Sequence, residues 1–280
     1  MIYPLNKGIS SQQLSNYLAA EHLGLSVMVS SFGDSNTANA GCICFIDAVQ
    51  REHNKDSIVI SSRPSIDCST NIIVSNPRLA FIKILSYLQC NGYINQKYEG
   101  KIHSTVSIAS SAIVELGADI GAGVSIGPGS LVKSCVVLRA GTKIGANCTL
   151  GHDGFGFERD EYGKAFRFPH FGKLIIDEDC EIGNSCCISR GTFKDTVIKN
   201  GVKIDDHVYL AHNVSVKENS LLMAGVKLNG RVEIGKECWI GTNVLVREGC
   251  VIGNHATVGM GGVVVKNIEE YAVVFGNPAK

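Results

Sequence analysis

"DIGAGVSIGPG", Asp119–Gly129, holds two isoleucines six positions apart, each followed by glycine. The same step runs outward in both directions. Ile102, Ile108, Val114, Ile120, Ile126, Val132, Leu138, Ile144 and Leu150 all lie on it. It breaks over "GHDGFGFERDEYGKAFRFPHFGK" (151–173) and returns at Ile176, Ile182 and Ile188. After a four-residue shift it runs unbroken from Ile198 to Val264. A period of six matches neither a 3.6-residue helix nor a two-residue strand. It matches short strands closed by turns, each sending one aliphatic side chain inward. Three such strands make a coil, and each coil stacks on the last. The expected fold is mainly β: a parallel β-helix of hexapeptide repeats with about eight coils.

The β-helix is expected over 99–265, with 266–280, "KNIEEYAVVFGNPAK", as a tail that leaves the period. Residues 1–98 lack the period and read as a small α/β domain. "SSQQLSNYLAAEHLG" (10–24) predicts a helix with serine caps and a glycine stop. "CICFIDAV" (42–49) and "SIVISS" (57–62) predict strands. "SNPRLAFIKILSYLQ" (75–89) predicts a second helix, capped by Asn76 with Pro77 in its first turn.

Lysine plus arginine and aspartate plus glutamate balance at 26 each. Nothing in that balance points to nucleic acid or an anionic membrane surface. No apolar run is long enough to span a membrane, and the N-terminus has no secretory pattern. Eleven cysteines without a C-x-x-C pair read as small apolar filler in a reduced, cytoplasmic protein.

A β-helix fills its interior with aliphatic side chains, so polar residues that interrupt the pattern mark the chemistry. His212 and Asn213 do so in "VYLAHNVSV" (208–216). Two residues past the inward Leu210, His212 is expected at a corner or outer face. A lone histidine there is most simply a solvated one, but its surroundings say more.

The motifs Asp153–Phe157, Glu181–Gly183, Arg190-Gly191, Asp195–Ile198, Asp205 and Ala211–Val214, with "NPRLAF" (76–81) and Phe45, resemble those of hexapeptide-repeat sugar N-acyltransferases. The likeness is greatest to the UDP-3-O-acylglucosamine N-acyltransferases of lipid A synthesis and covers about residues 10–264. The resemblance implies a left-handed coil, a homotrimer and a nucleotide-binding N-terminal domain; no metal is expected, since His207 and His212 have no third histidine at coil spacing. It implies His212 as general base, Asp205 as its carboxylate support and the Gly230 N–H as oxyanion donor. The chemistry is consistent. A neutral amine must attack a thioester, and a neutral imidazole can take its proton. Gly230 lies eighteen residues, three hexads, beyond His212.

Phe45, His152, Asp153, Phe155 and Asn213 are expected to contact the acceptor. His207 reads as a solvated histidine near the same coil as His212, and His255 as a turn histidine. The phenylalanines of 154–172 read either as a packing cluster under a long loop or as an apolar wall of the site. The chain departs from the resembled pattern in three ways. Glu248 stands where a second functional histidine is expected. Ala48 and Arg51 replace groups that contact uracil. The tail "VVFGNPAK" resembles that of coenzyme A-dependent sugar acetyltransferases. These departures lead to acyl-CoA as donor and to a nucleotide-linked amino-deoxy sugar of surface polysaccharide as acceptor. Trp239 would then line the donor groove, and Arg247, Lys266 and Lys280 would hold the donor's phosphates. The alternative is the lipid A enzyme itself, with acyl carrier protein as donor.

Overall fold

The structure is a computed structural model and describes residues 1–46, 55–64 and 68–280. The chain divides into two compact units. One comprises 1–96 together with 156–169, the other 97–155 together with 170–280.

The first unit is built on a six-stranded sheet. In chain order its elements are β1 (Ile2–Ser10), α1 (Ser11–Leu18), β2 (Glu21–Gly24), β3 (Met28–Gly33), β4 (Cys42–Phe45), β5 (Ile58–Ser61), β6 (Thr70–Ile73) and α2 (Pro77–Cys90). The sheet order is β1-β3-β4-β5-β6-β2, with β3 to β6 parallel and the two edge strands antiparallel. Ser10 and Gln13 form a reciprocal capping box on α1. Asn76 Oδ1 accepts from Leu79 N–H to cap α2, with Pro77 at the first helical position. The glycine stop expected for α1 is not used. The helix ends at Ala19, which turns left-handed at φ 50°. Residues 21–24 are drawn instead into pairing with β6, because sheet pairing satisfies backbone groups that two more helical residues would leave at a frayed end.

Residues 156–169 join this unit rather than forming a wall of the coil. Phe157–Arg159 and Ala165–Arg167 make an antiparallel hairpin. Glu158 pairs with Arg78 at 3.2 Å and accepts from Asn76 Nδ2. Phe168 completes an aromatic cluster with Phe45 and Phe81, at centroid distances of 6.3 and 6.4 Å.

The second unit is the expected parallel β-helix. Its three sheets hold nine, eight and seven strands. Successive strands pass from the first face (Ser107–Ile108) to the second (Ile113–Val114) and the third (Asp119–Ile120), then return to the first (Ser125–Ile126). Registers such as Ile126↔Ile144, Leu210↔Leu228 and Ile198↔Val216 stack the six-residue positions in columns. From Ile120 to Val264 these columns are buried. Ile102 and Ile108, in the first coil, stay exposed at 52% and 39%. The tail does not leave the coil as expected. Ile268 bridges Ile252, Val273–Val274 extends the first face, and Ala279 N–H bonds to Val263 O on the second. The aliphatic positions continue there even though their spacing slips off six.

The two breaks in the period occur at one kind of corner, between the second and third faces. The chain leaves after Thr149–His152 and rejoins at Leu174–Ile176; it leaves again after Cys187–Ser189 and rejoins at Thr196–Ile198. Arg190 ties the two excursions together. Its guanidinium, 11% exposed, donates to Gly172 O at 2.7 Å and to the Tyr98 hydroxyl, and lies 3.9 Å from Asp153.

Candidate active site

His212 and Asn213 do not interrupt a strand. They form the turn between Tyr209–Leu210 on the second face and Ser215–Val216 on the third. Asn213 takes the left-handed conformation, φ 61°, which asparagine tolerates better than most residues. Its amide is fixed by the backbone: Nδ2 donates to Lys194 O at 2.6 Å, and Oδ1 accepts from Thr192 N–H at 3.3 Å. The same Oδ1 lies 3.0 Å from His212 Nδ1. An amide oxygen only accepts, so Nδ1 carries the imidazole proton and Nε2 carries the lone pair. The half-buried ring is therefore held in the tautomer that a general base needs.

Glycines flank the ring. A Cβ on Gly230, one coil onward, would stand 2.8 Å from His212 Cε1 and 2.9 Å from Nε2. A Cβ on Gly154 would stand 2.8 Å from His212 Cβ and 2.9 Å from Cδ2. Neither position can carry a side chain without displacing the imidazole. Among the described residues the Gly230 N–H has no partner, whereas its carbonyl accepts from Gly249 and the next amide, Arg231, donates to His212 O. The base and a free amide donor thus lie side by side. Sequence reasoning missed His170, which is buried and meets the His212 ring edge-on, with centroids 5.6 Å apart. It lies in the excursion, where column arithmetic does not apply.

Asp205, the expected support of the base, stands apart from His212 within the chain. Its Oδ1 accepts from Asp206 N–H at 2.8 Å, and it makes no bond to His212 among the described residues. Seven residues is one hexad and one more, which carries the chain to the next corner; only multiples of three hexads share a column. Asn213 fills the orienting place within the chain. Trp239, half-exposed, lies on the first face, opposite the His212 corner. Lys266 shares His212's column and Arg247 the adjoining one, both exposed. Lys280 closes the last coil, bonded through its backbone to Phe275.

Asp153 leads into Gly154, beside the base, and pairs with Arg190. His152 Nε2 lies 3.0 Å from the buried Ser189 hydroxyl and 3.6 Å from Cys187 Sγ. Burial lowers its pKa, the neighbouring Asp153 opposing weakly, so it is held toward the neutral form. Phe155 is 80% exposed. Phe45 belongs to the other unit, its ring 5.2 Å from Phe81. Ala48 and Arg51 lie outside the described residues. His255 is a left-handed turn residue, as expected, and so is His207. No helix among the described residues is long and apolar enough to cross a membrane.

Residues 231–266 match the family described as bacterial transferase hexapeptide (six repeats). UDP-3-O-acylglucosamine N-acyltransferase from Coxiella burnetii (strain RSA 493 / Nine Mile phase I) is 32% identical over 197 residues, covering 59% of this chain and 56% of its own length. The protein of that name from Campylobacter lari is 34% identical over 131 residues, 47% and 41% of the two chains. The chain thus spans about half the length of the curated relatives it matches. Among solved structures, UDP-N-acetylglucosamine O-acyltransferase from Moraxella catarrhalis aligns with a TM-score of 0.45 at 27% identity, over 65% of this chain and 71% of that one. The relatives correct one expectation. They carry the name of the activity held as the alternative. The reading built on acyl-CoA and a surface-polysaccharide amino-deoxy sugar is set aside.

Proposed function

We propose that this hexapeptide-repeat protein is a sugar-nucleotide N-acyltransferase. It moves an acyl group from a thioester, borne by acyl carrier protein, to the amine of a UDP-linked 3-O-acylglucosamine. The observation that carries the reading is the His212–Gly230 pairing: an imidazole with its lone pair on Nε2, beside a free amide N–H.

The amine lone pair attacks the thioester carbonyl carbon and forms the N–C bond. The carbonyl π pair moves onto oxygen, where the Gly230 N–H receives it. His212 Nε2 takes one amine proton. Collapse of the tetrahedral intermediate re-forms the carbonyl and breaks the C–S bond. The departing sulfur takes the proton from His212 and leaves as a thiol, so atoms and charge balance. Asn213 Oδ1, already bonded to Nδ1–H, stabilises the imidazolium that forms in between. Arg247 and Lys266 offer cationic footing for the phosphate of a pantetheine arm.

The test offers the purified chain a UDP-3-O-acylglucosamine with matched acyl carrier protein and acyl-CoA thioesters, and follows the nucleotide sugar by mass spectrometry. The expected result is a mass increase of one acyl group from the carrier-protein donor, abolished in His212→Ala. Absence of acylation with either donor overturns the activity. Turnover confined to acyl-CoA overturns the assignment of the donor.

A further inference from the structure

The space left by the missing Cβ of Gly230 has a second polar neighbour. The vacant position lies 2.9 Å from His212 Nε2 on one side and 3.2 Å from Glu248 Oε1 on the other. Glu248 is eighteen residues beyond Gly230, so the three form one column on consecutive coils. The same carboxylate oxygen is 2.8 Å from Arg231 Nη2, and both side chains are about half-exposed. A carboxylate and an imidazole lone pair thus face one gap, with an amide donor between them.

We infer that Glu248, steadied by Arg231, is a positioning residue for the acceptor amine. The inference deepens the proposed function and rests on it for the identity of the acceptor. An amine has more than one N–H to place. His212 can take only one proton, and the lone pair must point at the thioester carbon. A carboxylate that accepts a remaining N–H fixes the rotation about the sugar C–N bond and turns the lone pair inward. Glu248 carries no proton in the net reaction. It accepts a hydrogen bond throughout, and the N–C bond, the C–S bond and the proton route are those given above.

Arg231 has a second effect. A bare carboxylate beside the Gly230 N–H would repel the developing oxyanion. The guanidinium offsets that charge and takes one lone pair of Oε1, leaving that oxygen's second lone pair able to accept. The arrangement discriminates as well: without a donor bound, a free amine can dock protonated, as an ammonium that pairs with this carboxylate, and an acetamide cannot.

The test needs no acyl donor. The full chain, Glu248→Gln and His212→Ala are titrated by calorimetry with UDP-glucosamine, whose amine is free, and with UDP-N-acetylglucosamine, whose amine is blocked. The wild-type chain is expected to prefer the free amine by about tenfold or more, as a hydrogen bond to a charged group warrants. Glu248→Gln, with an unchanged melting midpoint, should bind the two alike, and His212→Ala should keep most of the preference. A wild-type chain that fails to discriminate, or that binds neither nucleotide, overturns the inference, as does discrimination that survives in Glu248→Gln. A chain that discriminates as expected yet acylates nothing sinks the proposed activity and leaves the amine-docking role standing. In a working enzyme, Glu248→Gln should raise KM for the amino sugar more than it lowers kcat, the reverse of His212→Ala.

Discussion

His212 works as a base only while Nδ1 holds the proton, and one amide oxygen decides that. His212→Ala should fold normally, since the side chain is outside the aliphatic core, and should lose about 10²–10⁴ in turnover, read by steady-state assay beside a melting curve. Asn213→Ala should cost less, because Nε2 remains while the ring loses the oxygen that orients it. Asp205→Asn should change turnover little within one chain's geometry, and a loss rivalling that of Asn213→Ala would restore Asp205 to the orienting role. Gly230→Ala would press a methyl to 2.8 Å from the imidazole, so it should lose about 10² or more in turnover with near-native stability. The pairing of His212 with Gly230 was legible because column arithmetic is exact on a stacked coil. The offset of Asp205 from His212 by one corner follows from the same arithmetic. Asn213's part depends on two backbone groups in the Gly191–Asp195 excursion, which no spacing rule reaches.

Each inward aliphatic residue is one link in a column. Leu228, fully buried between Leu210 and Val246, should cost about 2–5 kcal/mol on truncation to alanine, read by denaturant unfolding. His152 gives the strand ending at 152 a pH response. Burial lowers its folded pKa below the ordinary 6.5. The unfolded chain therefore binds the proton more readily, and stability is lost as pH falls from about 6.5 toward the folded value. His152→Gln should flatten that part of a melting-midpoint series; an unaltered slope would place the acid sensitivity elsewhere. The repeats were legible from aliphatic spacing alone, down to single registers. The hairpin at 157–167 was not, because its phenylalanines pack with Phe45 and Phe81, residues distant in sequence and on no shared period. Edge strands β1 and β2 escaped for a related reason: their alternation is weak, and pairing partners decide them.

Around the β-helix unit the apolar surface is uneven. Trp239 and Val273 stand 49% and 66% exposed on the first face, with Met260 and Phe275 more exposed at its edge. Such a surface favours closed packing against copies of itself. We expect light scattering to return a mass three times that of the 29.9 kDa chain, and a monomer at micromolar concentration would contradict it. Trp239→Glu should shift that mass downward while leaving the coil's circular dichroism unchanged.

Both breaks in the period leave the coil and rejoin it at the corner that carries His212. A detour that ends where it began adds no net rotation to the winding that follows. Its length is a dial that can be turned without re-threading the spool. Lengthening or shortening the rim around the base leaves every later residue on its own edge of the prism. A detour that rejoined one corner further on would carry Gly230, Glu248 and Lys266 off that edge together.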